Sequence, residues 1–359
     1  MEQIKVVQFG CGKMAKYIMR YVYEKGGIIV GAIDKNENII GKDISYVMES
    51  NESKNVRISS LEDAKNVLTK TKPDICIITT MSLLNDVKDA MLLCASLGIN
   101  AITTCEEAFY PQNSNPNLFN KIDSLAKENA CTISGSGYQD IFWGNLITCV
   151  ASATHKIIKI KGSSSYNVED YGIALAKAHG AGLSMDEFNK EIQNDNDLSQ
   201  KDRDTLINNG NFMPSYMWNV NGWLCEKLGL SVISQAQKCI PCFADEDIYS
   251  STLDMKIKKG EITGMSAVVT TNTKEGIIIE SECIGKVYSK NEYDKNQWEI
   301  LGEPNTSILI NNPSTVELTC ATIVNRIPDV INSPNGYVTT NNFTELRYRL
   351  KPLYKYLVK

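Results

Sequence analysis

The chain has 359 residues, 43% of them apolar and 22% charged, and 37 basic against 42 acidic side chains give a formal net charge of −5. That length suits two or three domains with enough apolar material for real cores. The balance lacks the concentrated basic footprint of a nucleic-acid binder, and no apolar run reaches the roughly 18 residues of a membrane span.

The chain opens Met1-Glu2-Gln3-Ile4-Lys5 and passes straight into a strand pattern, with no charged leader and apolar stretch. The 11 cysteines, an odd number scattered along the chain, read as reduced thiols in the cytoplasm. Ile4–Phe9 is a β-rich run ending at Gly10, residues 13–25 present Met14, Ile18, Tyr21 and Val22 on one helical face, and Ile28–Ile33 is a second apolar run ending at Asp34. Ser60-Leu61-Glu62-Asp63 reads as a capped helix start. Strands at 74–79, 99–103 and 131–134 alternate with helices at 83–97 and 116–129, and a further helix runs to Ile147. This βαβ alternation predicts a doubly wound parallel sheet, an α/β fold.

Past residue 150 the texture changes. Strand-like runs at 156–166, 252–258, 264–271, 276–287 and 306–310, with helical segments near 184–193, 199–208 and 215–228, predict a second, α+β domain. Residues 289–305 read as loop. Residues 315–332 read as a helix that Pro328 bends or ends. The basic tail, with Arg347, Arg349, Lys351, Lys355 and Lys359, reads as a solvated helix or arm. The expected division is 1–145, 146–312 and 313–359, the last returning toward the first.

Gly10-Cys11-Gly12-Lys13-Met14-Ala15 fits G-x-G-x-x-A between a strand and a helix, and a second strand ends at Asp34, 24 residues after Gly10. Gly10 permits the turn, Gly12 lets the backbone approach a pyrophosphate, Ala15 allows close helix packing, and the helix N-terminus offers free N–H groups. The loop residues Gly10, Cys11, Gly12, Lys13 and Met14 therefore predict an NAD or NADP site. Asp34 suits a ribose diol and repels a 2′-phosphate, favouring NAD, while Lys35 is the neighbour that can accommodate NADP. Thr79, Thr80 and Thr104 stand at further strand ends, where hydroxyls can bond phosphate, ribose or carboxamide; Ser82 is placed to cap the next helix.

Glu106-Glu107 directly follows the strand 99–103 at the carboxyl edge of the sheet. A carboxylate there can hold a substrate ammonium or act as a base, and adjacency does not separate the two. His179, in Ala178-His179-Gly180-Ala181-Gly182, sits in a glycine-flanked loop suited to a pocket wall; Tyr166 and Tyr171 follow the first long strand of the second domain. His155, at a strand start, reads as structural. Cys239-Ile240-Pro241-Cys242 lies in a strand-like region, away from a helix N-terminus and without further ligands, so no metal or redox site is expected.

Val6–Gly12, Ile29–Asp34, Thr104-Cys105-Glu106-Glu107-Ala108-Phe109-Tyr110-Pro111 and Gly302-Glu303-Pro304-Asn305 together resemble the 2,4-diaminopentanoate dehydrogenase family, which is related to dihydrodipicolinate reductase and the native amine dehydrogenases. The resemblance runs over nearly the whole chain, and the acidic block is its most specific part. It implies a Rossmann domain, a second domain on a mixed sheet that joins subunits, and a homodimer. It also implies NAD(P)-dependent oxidation of the C4 amine of a diamino acid to a ketone, in anaerobic ornithine breakdown. Departures from the family pattern fall at Lys177–Leu183, at Tyr138-Gln139-Asp140 and at Arg326, where a Met is common. A reductase of cyclic imines is disfavoured, because no cluster of basic residues and histidines is present. A non-catalytic dinucleotide sensor is disfavoured by the Glu pair and the developed second domain.

Overall fold

The computed structural model describes residues 3–344 and 347–358. The chain divides into two compact units. One holds the residues up to Ile141, Asn208–Gly210 and those from Ser314 on; the other holds Phe142–Ile207 and Asn211–Pro313.

In the first unit β1 (Lys5–Phe9), α1 (Lys13–Glu24), β2 (Ile28–Ile33), β3 (Ile58–Ser59), α2 (Ala64–Thr71), β4 (Ile75–Ile78), α3 (Leu84–Ser96), β5 (Asn100–Thr103), α4 (Pro116–Glu128) and β6 (Thr132–Gly135) follow one another. The strands pair in parallel in the order β3-β2-β1-β4-β5-β6, and Gly336–Tyr337 adds a seventh beside β6. The continuous apolar strand sequences follow from this, since helices cover both faces. Val7, Cys76 and Ile78 pack with Met91 of α3 on one face; Val6, Ile29 and Ile77 pack with Ile18 of α1 and with Ile323 and Ile327 on the other. The strand order reverses between β1 and β4, which opens a crevice at their carboxyl ends. This is a doubly wound sheet of the Rossmann type. Where the sequence suggests a helix from Ser60, α2 starts only at Ala64; Ser60 O instead accepts the Asp63 N–H in a preceding turn.

The C-terminal helix, Thr315–Asn332, continues through Pro328 rather than ending there. Packing of its buried Ile323, Val324, Ile327 and Val330 offsets the missing proline N–H. The helix also carries Arg326, fully buried, which makes a two-pronged pair with Asp140 (Nε–Oδ2 2.8 Å, Nη2–Oδ1 3.2 Å). Asp140 Oδ2 also accepts from Ser136 Oγ at 2.8 Å. Arg326 Nη1 reaches Asp329 at 3.4 Å, and Asp329 is paired with Arg349 at 2.7 Å. Burial pulls the Arg326 pKa down, but the two aspartates more than offset this and raise it. The two departures at Asp140 and Arg326 are thus one compensated ion pair.

The tail is an arm rather than a helix: Arg347, Lys351 and Lys355 are exposed, but Arg349 and Leu353 are buried, and among the described residues only a short 3₁₀ turn, Leu353–Tyr356, forms; Glu345, Leu346 and Lys359 lie outside the described residues.

The second unit is built on a mixed sheet of β7 (Lys156–Asn167), β8 (Val232–Phe243), β9 (Ile262–Thr273), β10 (Ile278–Lys286), β11 (Lys295–Glu303) and β12 (Thr306–Asn311), in the order β12-β11-β7-β10-β9-β8. Only β7 and β10 run parallel. Strand β11 occupies what reads as loop: Asn296, Trp298 and Ile300 alternate inward among polar neighbours. The run at 252–258 is instead a hairpin of Ile248–Ser250 and Met255–Ile257. Helix Tyr216–Leu228 covers one face, tied down by buried Asn221, whose amide donates to Val269 O and Thr271 Oγ1 and accepts from Ser281 Oγ. Among the described residues no helix is long and apolar enough to cross a membrane, and all 11 cysteines are free thiols.

Candidate active site

The turn after β1 is built around Gly10. Its φ is +90°, and a Cβ there would lie 2.6 Å from Thr79 O. Gln8, buried beneath, donates to Gly10 O and Thr79 Oγ1 at 2.8 Å each, and Thr79 Oγ1 donates to Gly10 O at 2.9 Å. The Thr79 hydroxyl therefore braces the glycine turn from within. Gly10→Ala is expected to cost about 2–4 kcal/mol through backbone strain and the clash, read as a lowered denaturation midpoint.

Gly12 is the N-cap of α1, no side chain caps that helix, and a Cβ at Gly12 would meet nothing within 4 Å. Free N–H groups thus face open space, the cradle an anionic pyrophosphate needs. Cys11 contributes backbone only: its side chain is buried, with Sγ toward Ile33 O at 3.7 Å, and burial beside Asp34 pushes the thiol up to about 12. The Cys11 N–H donates to Asp34 Oδ2 at 2.5 Å, and Asp34 Oδ1 accepts from Asn36 N at 2.7 Å. The carboxylate of Asp34 is thereby held against the glycine loop. Lys13, Lys35 and Thr80 are exposed, Met14 is half-buried, and Thr104 is buried with its N–H donating to Ile78 O at 3.1 Å.

The two glutamates have different fates. Glu107 opens a 3₁₀ turn, Glu107–Phe109, that sends its side chain inward. There Oε2 accepts the first N–H of α3, from Leu84, at 2.7 Å, and Oε1 accepts from Ser114 Oγ at 2.7 Å. Glu107, not Ser82, satisfies the N-terminus of α3, whose N-cap position is Leu83. Burial raises the Glu107 pKa, and these hydrogen bonds hold it back in part. Glu106 keeps some exposed surface yet is densely surrounded by protein. Burial raises its carboxyl to about 7, against a smaller lowering by hydrogen bonds from the Ser82 side chain and its own backbone. A carboxyl that titrates near 7 is suited to take and return a proton.

The turn carrying Glu106 is braced from β6. A Cβ on Gly135 would fall 2.2 Å from Ala108 O, and Tyr337 Oη donates to the same carbonyl at 2.5 Å.

Within the second unit, Tyr166, Tyr171 and His179 come together. Tyr166 Oη lies 2.6 Å from His179 Nε2, and the Tyr166 ring meets both partners edge-on at 5.7 Å. His155 is an exposed residue whose N–H donates to Glu303 O. Cys239 and Cys242 lie on β8, three residues apart and hence on opposite faces, and burial pushes their thiols up to about 12 and about 11. Among the described residues no group of three or more His, Cys, Asp or Glu is placed to hold a metal ion. Gln8, beneath the glycine turn, is a contributor that sequence reasoning misses, and Ser82, read there as a helix cap, instead bonds Glu106.

No protein-family model matches the chain. A 2,4-diaminopentanoate dehydrogenase from Acetoanaerobium sticklandii is 26% identical over 196 residues, 54% of this chain; the match spans 55% of that relative, about half its length. The structure of an amine dehydrogenase from Mycobacterium smegmatis superposes with a TM-score of 0.84 at 34% identity, covering 97% of this chain and 98% of that one. A levoglucosan dehydrogenase, solved with NADH and L-sorbose, shares the fold at a TM-score of 0.51 and 13% identity, over 87% of this chain and 74% of that one.

Proposed function

The chain belongs to the amine dehydrogenase family, an oxidoreductase acting on an amine, and from that premise we propose that it oxidatively deaminates the C4 amine of 2,4-diaminopentanoate with NAD as acceptor. The observation that carries the reading is Glu106: a carboxyl at the carboxyl edge of the parallel sheet, raised by burial to about 7.

The overall balance is amine, as ammonium, plus oxidised dinucleotide plus water giving 2-amino-4-oxopentanoate, ammonium, reduced dinucleotide and a proton. A nicotinamide dinucleotide, when bound, supplies the acceptor for the hydride leaving C4. Glu106, ionised, holds the substrate ammonium and takes one of its protons, because hydride departs only from the neutral amine. It then returns that proton to the nitrogen once water has added to the resulting iminium carbon; one proton of the water passes to the departing nitrogen to give ammonium, the other is released to solvent, and the C–N bond breaks as the C=O forms. Glu107, committed to Leu84 and Ser114, positions this turn. Tyr166, Tyr171 and His179, gathered within the second unit, are assigned to substrate binding.

The residues fit the dinucleotide. The backbone N–H groups of Gly12, Lys13 and Met14 at the start of α1 would hold the pyrophosphate, and Asp34 would accept from the ribose hydroxyls. An anionic Asp34 beside the loop disfavours a 2′-phosphate. Asp34→Ser is expected to raise KM for NAD about tenfold and to narrow the gap to NADP, measured with both dinucleotides under steady-state conditions. A retained NAD preference would move discrimination to another residue.

A homodimer fits the second unit. The sheet face away from helix Tyr216–Leu228 carries exposed Ile240, Ile278 and Leu309 and the Lys159–Glu280 pair at 3.0 Å. A cytoplasmic setting and a place in ornithine degradation accord with free thiols and with this substrate. The reading is tested by following dinucleotide reduction over a panel of amino and diamino acids. Fastest turnover with 2,4-diaminopentanoate is expected, and no turnover with any amine would overturn it.

A further inference from the structure

The second unit fixes the direction of one hydrogen bond. A backbone carbonyl only accepts, so the 2.8 Å contact between His179 Nδ1 and Leu175 O places the ring proton on Nδ1. Burial lowers the His179 pKa, which keeps the ring neutral near pH 7 and leaves Nε2 with a lone pair alone. The Tyr166 hydroxyl, 2.6 Å from Nε2, must then be the donor. With its single proton committed, Tyr166 Oη accepts in every other hydrogen bond it makes. The arrangement depends on a glycine. A Cβ on Gly285 would fall 2.4 Å from His179 Cδ2, 2.7 Å from Nε2 and 2.8 Å from Tyr166 Cζ.

The flank of this pair is anionic. Asp294 Oδ1 accepts from the N–H of Asn167, the residue after Tyr166, at 3.2 Å. Asp170 precedes Tyr171, close enough that its charge adds to burial in raising the Asp294 pKa. Lys286, opposite Asn167 in the sheet, is neutralised by Glu292. The Tyr166 and Tyr171 rings, at 84° to one another, add two aromatic surfaces that attract a cation. An oxygen that only accepts, set in such surroundings, suits an ammonium and opposes a carboxylate.

We propose that the Tyr166–His179 pair recognises the second, non-reacting ammonium of a diamino acid substrate, which in 2,4-diaminopentanoate is the one on C2. This rests on the assignment of Tyr166, Tyr171 and His179 to substrate binding made above. The pair is a specificity determinant: it selects amines that carry a second cationic donor.

The matched probes are 2,4-diaminopentanoate and 4-aminopentanoate, which differ only in the C2 amine. Tyr166→Phe is expected to lower the ratio of kcat/KM for the diamine over the monoamine about tenfold, the worth of one hydrogen bond to a charged group. His179→Phe, which frees the tyrosine proton, is expected to lower it in the same direction. Equal losses on both probes would mean that these residues meet the substrate without reading its second amine. No change on either would remove the substrate-binding assignment itself. Either result overturns the proposal. A readout independent of turnover is the ¹⁵N spectrum of the imidazoles. The chain has two histidines, so a His155→Gln variant assigns His179, whose Nε2 is expected to be unprotonated. A proton on Nε2 at neutral pH would also overturn the proposal.

Discussion

Glu106→Gln is expected to lower kcat for amine oxidation about 10²- to 10⁴-fold, the usual contribution of a positioned general base, while dinucleotide affinity, measured by fluorescence titration, is retained. Glutamine keeps the size and a hydrogen-bonding oxygen but cannot take the ammonium proton. The same substitution has a second, opposite consequence for stability. The folded-state pKa of Glu106, about 7, stands above the ordinary 4.5. Such a group favours folding fully below its unfolded value and loses that contribution as pH rises through the folded value. Glu106→Gln is therefore expected to be more stable than the parent above pH 7, by an amount on the order of 2 kcal/mol, and to gain nothing near pH 4. Urea unfolding at the two pH values reads the difference. A base that costs stability when ionised is what a site tuned by burial entails.

The largest stability loss is expected at the buried ion pair. Arg326→Met leaves Asp140 charged and enclosed, which costs about 3–5 kcal/mol. Asp140→Asn leaves Arg326 with Asp329 alone, although Asp329 already serves Arg349. Removing both charges leaves Asp329 and Arg349 as a neutral pair. The Asp140→Asn, Arg326→Met double variant is accordingly expected to lose well less stability than the sum of the single losses, with a coupling energy of about 1–3 kcal/mol in a double-mutant cycle. Additive losses would mean that the two side chains stabilise the fold separately. The network joins the C-terminal helix and tail to the end of β6, and Gly135 of β6 presses against the carbonyl of Ala108 in the turn that carries Glu106. Damage there is expected to reach the site as well as the fold.

The elements legible in the sequence are those whose burial is set locally. β2 and β4 are continuous apolar runs because both sheet faces are covered, and the glycine turn after β1 announces itself by spacing alone. What was illegible depends on partners far along the chain. β11 reads as loop because Lys295, Gln297 and Glu299 mask the inward alternation of Asn296, Trp298 and Ile300. The tail reads as solvated because Arg349 gains its burial only from Asp329 on another element. Pro328 reads as a helix end because a local rule cannot see the packing that carries the helix past it. The site divides in the same way. A carboxylate pair after β5 was visible, but choosing between its members required the 3₁₀ turn that points Glu107 at the N-terminus of α3. Thr79, which reads as a ligand-facing hydroxyl, donates its proton to the Gly10 carbonyl. The Tyr166–His179 contact brings residues 13 positions apart into one hydrogen bond, and its polarity follows only from the third partner, Leu175 O.

The most direct test is the pH dependence of kcat/KM for 2,4-diaminopentanoate, followed by dinucleotide reduction in the parent and in Glu106→Gln. Activity in the parent is expected to rise with pH through a single ionisation near 7, and the residual activity of the variant is expected to lack that step. The same rising limb in both proteins would assign the proton to another group and contradict a role for Glu106 as the base.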